Sequence, residues 1–325
     1  MKHNPKILLI VLSLFVFTQL VGLYVVNYYS PTVVVDNYQQ NVTSPNQLPF
    51  GLEPPPVNNQ VNIWITLLYI LPAFAIAIVI FFVLSRLKAE IILKGWFFLV
   101  MTIALSVSLI SFIPGFQYAW IVALAIAAPL IFLRIYKKNI ILHNITETLI
   151  YPGIAAIFVA LLSTPENPNR GVYSMIALLI IISFYDMWAV WHSGIMQKMA
   201  KFQINKLRIF GGFFVPYVSK KMRDKIKKMK KTKKGREKKI RINFALLGGG
   251  DVVFPMIMSG VVLRRFGFAG IFGINLPAAS LLIILGAVLG LSGLLIFGKK
   301  KPYPAMPFIS LGVFAALGAC YLIFG

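Results

Sequence analysis

The stretch FALLGGGDVVFPMI (residues 244–257) places an acidic side chain inside an otherwise apolar part of the chain. Three glycines, Gly248, Gly249 and Gly250, come directly before Asp251. A charged side chain within a bilayer costs free energy, and such residues usually mark a functional site. Asp251 is therefore a candidate functional residue if the segments around it cross a membrane.

The composition indicates that most of the chain is in a membrane. The 325 residues are 58% hydrophobic and 13% charged, and the mean hydropathy is +0.81, values that do not fit a soluble globular protein. We predict an all-α polytopic membrane protein with nine transmembrane helices, counting apolar stretches of about 20 residues. The predicted spans are residues 7–27, 62–84, 95–113, 117–134, 144–163, 172–192, 242–263, 275–297 and 303–324. The first is expected to be a retained span and not a cleaved signal peptide.

The distribution of positive charge predicts the orientation in the membrane. Cationic segments precede the first span and follow the second, fourth, sixth and eighth spans, all on one side. Because Lys- and Arg-rich loops stay in the cytoplasm, we expect a cytoplasmic N-terminus and an external C-terminus. Arg264 and Arg265 are the exception, since they follow the seventh span and would be external.

The chain divides into three parts around one strongly basic segment. Residues 1–192 form a six-span half, residues 193–241 a basic cytoplasmic loop, and residues 242–325 a three-span part. The net charge is +23, and more than half of the 32 Lys and Arg residues lie within residues 198–241. That run shows no aromatic stacking platform of the kind expected of a single-strand binder, so we predict contact with anionic lipids and no nucleic-acid binding. Residues 204–218 are expected to lie on the membrane surface or to form a loosely ordered linker.

Three acidic residues lie within predicted spans, and the first of them, Glu147, is close to the end of its helix. Lys137, Lys138 and His143 are within its reach, so a paired carboxylate is expected. The three histidines fit no obvious zinc site, and the single cysteine, Cys320, excludes an intramolecular disulfide. We therefore predict neither a metal nor a cofactor.

Asp186 and Asp251 lie deeper in the sixth and seventh spans. Counting 1.5 Å per helical residue, they are about 9 Å and 15 Å from the same membrane face, so the two carboxyl groups can meet. Two close carboxyl groups share one proton. The ionised group can then act as general base on a water, and the protonated group as general acid toward a carbonyl. Peptide-bond hydrolysis suits this arrangement.

Two further features accompany the aspartates. Gly248 and Gly250 let another backbone approach closely or let the helix loosen, although a glycine packing face gives the same pattern. Three prolines in KPYPAMP (residues 301–307) remove backbone donors. Such irregular backbone at membrane depth requires protein or water cover; the alternative is a helix that starts with proline at the interface.

Together these segments resemble the presenilin and signal peptide peptidase family of GxGD intramembrane aspartyl proteases. Its YD, GxGD and PAL motifs correspond to Tyr185-Asp186, to Gly248-Gly249-Gly250-Asp251 and to Pro304-Ala305-Met306, with Pro307 following. The resemblance implies that Asp186 and Asp251 are catalytic and that the other motif residues help to position a substrate. Met306 stands where the family has leucine, a residue of similar volume. Substrates would be transmembrane helical segments that unwind locally.

The predicted orientation and the short chain favour a microbial, archaeal-type, presenilin-like homologue that acts without partner subunits; the sequence leaves its oligomeric state open. The near alternative is a prepilin or preflagellin peptidase, which also uses a GxGD aspartate but typically has fewer spans. A more distant alternative is a cation or proton pathway built on paired aspartates. No matching halves of the chain support that last alternative.

Overall fold

The computed structural model of the chain describes most of the predicted membrane part. The described residues are 5–30, 32–36, 39–43, 46–52, 72–73, 75–77, 79–80, 83–84, 90–137, 139–163, 168–193, 209–217, 243–271, 274–297 and 303–324. The second predicted span and the basic loop therefore lie largely outside the described residues.

Eight long helices dominate the described part of the chain. They are α1 (Pro5–Tyr28), α2 (Glu90–Ile110), α3 (Ala119–Tyr136), α4 (Ile140–Leu162), α5 (Pro168–Trp188), α6 (Gly249–Phe266), α7 (Ala278–Phe297) and α8 (Met306–Phe324). Seven of these helices are long and apolar enough to cross a bilayer. The remaining helix, α6, carries three charged residues, Asp251, Arg264 and Arg265, within its 18 residues.

The predicted helical membrane architecture is confirmed in its main lines. Most described helices begin and end within about one turn of the predicted spans, and the described residues between 72 and 84 are helical. The turn predicted at residues 114–116 also occurs, with Gly115 at a φ of +77°. Glycine adopts this backbone conformation without a steric cost.

The prediction for residues 242–263 is wrong in its first third. Those residues form a strand, β4 (Asn243–Gly248), and only then the helix α6. β4 pairs in antiparallel register with β3 (Gly212–Tyr217), so that Gly248 lies opposite Gly212. The depth of Asp251 calculated from the helical rise is therefore wrong as well, because a strand rises about twice as far per residue.

The same strand pair corrects the expectation for residues 204–218. Residues 212–217 are neither a membrane-surface segment nor a linker, since the side chains of Phe213 and Val215 are buried in the main core. The Asn144 side chain accepts a hydrogen bond from the Phe214 amide (3.0 Å) and donates one to its carbonyl (2.9 Å). A two-stranded sheet is marginal alone, and these contacts fix it to α4.

Two short hairpins also occur among the described residues. One is formed by β1 (Thr32–Asp36) and β2 (Gln39–Thr43), the other by β5 (Ala269–Ile271) and β6 (Ile274–Leu276). The second connects the end of α6 to the start of α7. Neither hairpin contributes to the site described below.

Helix α6 lies at the centre of the bundle. It packs against α1, α4, α5, α7 and α8, and its residues from Val252 to Leu263 are buried with one partial exception, Phe254. Its last turn is fixed by Arg264, whose guanidinium donates to the carbonyl groups of Tyr29 and Ser163 at the ends of α1 and α4. Carbonyl groups at the end of a helix have no backbone amide of the same helix to bond with. Arg264 therefore satisfies acceptors that would otherwise be costly to bury.

Candidate active site

Asp186 lies near the end of α5, where the helix changes its winding. The residues that follow, Ala189–Ser193, form a π-helical turn, a feature that is frequent at functional sites. Asp186 as a whole residue is 8% exposed. It accepts a hydrogen bond from the backbone amide of Met306 (3.1 Å), and the Ala305 amide lies beside the same group. Asp186 is thus held by the segment that precedes and begins α8.

Asp251 lies in the first turn of α6, directly after the strand β4. Gly248 is the N-cap of the helix, and its backbone amide donates to the Asp251 carboxyl group. Asp251 Oδ2 lies only 3.0 Å from the position that a Cβ on Gly248 would occupy. An acidic group that turns back on the cap is favourable at a helix N-terminus. The local sequence thereby fixes the side chain at the junction of strand and helix.

The backbone beyond Asp251 is also modified. Pro255 lies inside α6 and has no amide to donate to the Asp251 carbonyl, which loosens the first turns of the helix. The next carbonyl, that of Val252, accepts a hydrogen bond from the Gln19 side chain of α1 (2.8 Å), and Gln19 is fully buried. Helix α1 therefore supports the turn that carries Asp251.

The bundle brings the two predicted aspartates together. Helices α5 and α6 pack against each other, and α8 packs against both. The carboxyl groups of Asp186 and Asp251 are close enough to interact electrostatically. The chemical unit is thus a pair of carboxyl groups from two helices, with backbone amides of a third segment on one side.

The three glycines differ in their surroundings. A Cβ on Gly248 would meet Asp251, whereas a Cβ on Gly249 would lie 2.7 Å from the hydroxyl oxygen of Tyr151. A Cβ on Gly250 would make only an ordinary contact, 3.5 Å from the Phe254 ring. The close approach of another backbone that we predicted for Gly248 and Gly250 is therefore wrong in place and kind, because the crowded glycine is Gly249 and its neighbour is a side chain of α4.

The proline segment has the irregular backbone that its sequence predicts. Residues 303–305 are not helical, and α8 begins at Met306. Pro304 and Met306 are buried, and Pro307 lies in the first turn of the helix, where the missing amide has no intrahelical partner to lose. This local arrangement points the amides of residues 305 and 306 at Asp186.

Tyr185 differs from the other motif residues because it faces outward. Its side chain is 44% exposed, and its ring packs against Trp188 at a centroid distance of 6.2 Å. It does not join the carboxyl pair. Its neighbour in the chain, Asp186, faces the interior because successive helical residues point in directions about 100° apart.

Glu147 is a paired carboxylate, as predicted, but its principal partner is different. It forms a buried ion pair with Arg134 of α3, and His143 Nε2 lies 3.6 Å from its carboxylate. Lys137 is exposed at the end of α3, and Lys138 lies outside the described residues. The sequence assigned Arg134 to the flanking positive charge of the fourth span, whereas the structure places it 8% exposed in the interior.

This ion pair belongs to a polar cluster that sequence reasoning missed. Arg134 also donates to the Phe210 carbonyl, and His143 Nε2 is 2.8 Å from the Gly212 carbonyl. Together with Asn144, the cluster holds strand β3 against α4. The available signal was the spacing of His143, Glu147 and Tyr151, because residues four apart lie on one face of a helix.

The chain resembles known proteins in sequence and in fold. Residues 52–325 match the family model described as "Signal-peptide peptidase, presenilin aspartyl protease". The fold is similar to a solved structure titled "Structure of a presenilin family intramembrane aspartate protease in C222 space group", with a TM-score of 0.58 and 16% identity over 97% of this chain and 99% of that chain. No curated protein matches significantly. The sequence match over most of the chain, on a helical membrane bundle with converging aspartates, shows that the protein belongs to the signal peptide peptidase and presenilin family of aspartyl proteases.

Proposed function

We propose that the protein hydrolyses peptide bonds within transmembrane helical segments, using Asp186 and Asp251 as a general acid and base pair. The observation that carries this proposal is the convergence of the two carboxyl groups between α5, α6 and the start of α8. The ionised group takes a proton from water, and the water attacks the scissile carbonyl. The protonated group donates its proton to the carbonyl oxygen. The group that took the water proton then gives it to the amide nitrogen, the carbon–nitrogen bond breaks, and one hydroxyl of the intermediate returns a proton to the other carboxylate.

The geometry of β4 supports an extended substrate. A helical peptide buries its amide groups in its own hydrogen bonds, so a substrate has to unwind before hydrolysis. Among the described residues, β4 pairs only with β3, and its Leu246 side chain is 48% exposed. An unwound segment that adds as a strand along β4 recovers backbone hydrogen bonds and leads directly to Asp251. Substrate addition at this edge is part of the proposal.

The arrangement of the protein in the membrane is proposed from its sequence pattern. We propose nine spans in a cell membrane from the number of long apolar stretches. The positive-inside rule supports a cytoplasmic N-terminus and a cytoplasmic basic loop. The basic run in residues 198–241 carries enough positive charge to attract anionic lipid headgroups. We further propose Tyr185 and the segment from Pro304 to Pro307 as residues that position the substrate. The support for Tyr185 is its exposed position next to Asp186 in the chain. The support for the proline segment is the hydrogen bond from its Met306 amide to Asp186.

A cleavage assay with nearly isosteric variants tests the function. The detergent-solubilised protein is incubated with a helical transmembrane peptide, and fragments are measured by mass spectrometry. The wild-type protein is expected to produce fragments, and Asp186→Asn and Asp251→Asn to produce none while retaining the wild-type helical content and unfolding temperature. Glu90→Gln, at the start of α2, is the matched control and should cleave normally. Ion flux through liposomes without any fragments would support a transport function instead.

A further inference from the structure

The Tyr151 hydroxyl group lies against the turn that carries Asp251. Tyr151 is on α4 and is 3% exposed. Its ring stands edge-on to Phe213 of β3, with centroids 5.6 Å apart and an interplanar angle of 87°. A Cβ on Gly249 would be 2.7 Å from its hydroxyl oxygen. The ring is fixed on one side by the strand pair, and its polar end reaches the backbone between the helix cap and the aspartate.

No contact of the hydroxyl group meets the geometry of a hydrogen bond within the part of the chain that the structure describes. Glu147, one turn earlier on α4, is close enough to be an alternative acceptor. Glu147 is already bound by Arg134. The Asp251 carboxyl group also interacts electrostatically with Tyr151. A buried donor without a partner is costly and calls for an explanation.

We propose that Tyr151 is a positioning residue for Asp251, and that its hydroxyl donates the hydrogen bond that orients the Asp251 carboxylate toward Asp186 during turnover. This inference rests on the proposed function, and it names the side chain that donates a hydrogen bond to the proposed catalytic pair. The Tyr151 ring is fixed by its packing against Phe213, so a small movement of the first turn of α6 brings the carboxylate within reach of the hydroxyl. Gly249 makes this possible because any larger residue would occupy the space of the hydroxyl.

The proposal predicts a change in pH dependence because a donor favours the ionised form of a carboxyl group. Without the hydroxyl, the pair keeps its second proton to higher pH, and the acidic limb of the activity profile moves upward. The other groups that face Asp251 are unchanged by this substitution. They are Asp186 of α5 and the Gly248 amide, which act on Asp251 directly. The Glu147–Arg134 pair beside Tyr151, the Gln19 side chain on the Val252 carbonyl and the Met306 amide on Asp186 also stay in place.

The test compares Tyr151→Phe with Tyr321→Phe. Tyr321 is a matched control because its hydroxyl is also buried without a hydrogen-bond partner among the described residues, and it lies about 22 Å along α8 from Met306. In Tyr151→Phe we expect kcat to fall about tenfold with KM unchanged, and the acidic limb to move up by about one pH unit, which equals the same tenfold change in proton affinity. Tyr321→Phe should change neither quantity.

A second measurement does not depend on turnover. Infrared difference spectra of the carboxyl stretch are recorded for the resting protein with and without Tyr151→Phe. We expect a shift that disappears when Asp251→Asn is present in both proteins. The same band should shift in Gly249→Ala, which displaces the hydroxyl without removing it.

The outcomes separate this inference from the proposed function. If Tyr151→Phe keeps the wild-type kcat, pH profile and carboxyl band while Asp251→Asn is inactive, Tyr151 has no positioning role and the protease function stands. If the wild-type protein itself does not cleave, both proposals fail. If Tyr151→Phe does not fold, the carboxyl band of Gly249→Ala decides, because an unchanged band overturns the inference.

Discussion

Gly249 and Gly250 are neighbours in the chain, yet they tolerate a side chain very differently. A methyl group on Gly249 would press on the rigid, buried ring of Tyr151, whereas one on Gly250 would make an ordinary contact with Phe254. We expect Gly249→Ala to lower the free energy of unfolding by about 1–3 kcal/mol. It should also reduce the cleavage rate at least about tenfold, because it displaces the turn that carries Asp251.

Gly250→Ala is the control for this prediction. An alanine in a helix is favoured over glycine, so this variant should match or slightly exceed the wild-type stability. Thermal unfolding in detergent and the peptide cleavage assay measure both effects. Equal losses in the two variants would show that the crowding at Gly249 is not the cause.

The sequence predicted the two aspartates of the proposed pair but not the residues that contact their surroundings. Asp186 and Asp251 were predictable because a charged residue within an apolar segment is rare and costly. Tyr151 and Gln19 carry no such signal, since a tyrosine or glutamine in an apolar helix has many structural uses. Their roles follow from contacts between residues far apart in the chain, and a single sequence does not specify those contacts.

Among the strands, none of which the sequence predicted, the pair β3–β4 is the one that contributes to the site. Segments such as FALLG and FFVPY are short apolar runs, and their periodicity does not distinguish a strand from a buried helix. The signals that were available are the glycines at both ends, Gly211-Gly212 and Gly248–Gly250, together with Pro216. Proline within a strand is compatible with a sheet of two strands because both are edge strands.

Helices α7 and α8 pack so closely that glycine is required at their contact. A Cβ on Gly312 would collide with the backbone of Gly286, whereas a Cβ on Gly318, further along the same helix, would have no neighbour within 4 Å. We expect Gly312→Ala to lower the free energy of unfolding by about 1–3 kcal/mol. Because α8 presents the Met306 amide to Asp186, the cleavage rate should fall as well.

The matched variant for α8 is Gly318→Ala. It introduces the same side chain into the same helix without a collision, so its stability should equal or exceed that of the wild type. Circular dichroism during heating and the peptide assay measure the two variants. A Gly312→Ala protein as stable as Gly318→Ala would contradict the close packing described for α7 and α8.

For the whole molecule, we predict a bell-shaped dependence of cleavage on pH. The reaction needs one ionised and one protonated carboxyl group. At low pH both are protonated and no base remains; at high pH both are ionised and no acid remains. The measurement is the cleavage rate from acid to alkaline pH, with unfolding followed over the same range. A flat profile in a folded protein would exclude a shared proton.

The architecture of the whole molecule was largely predictable, while its exact membrane topology rests on the charge pattern. Long apolar segments can be recognised from composition alone, and most described helices therefore match the predicted spans. Arg264 and Arg265 contradicted the charge rule, and the structure gives the reason. Arg264 caps the ends of α1 and α4, and Arg265 donates to the Asn169 side chain. Their charges serve packing and therefore say little about orientation.

The position of Arg264 has a consequence for how the site opens. It joins the last turn of α6 to α1 and α4, about 20 Å along the helix from Asp251. That end is anchored by bonds to two other helices, while the opposite end begins at a loosened first turn next to a marginal sheet. We therefore expect α6 to tilt about its C-terminal end at Arg264, so that the distance between the two aspartates increases when a substrate binds.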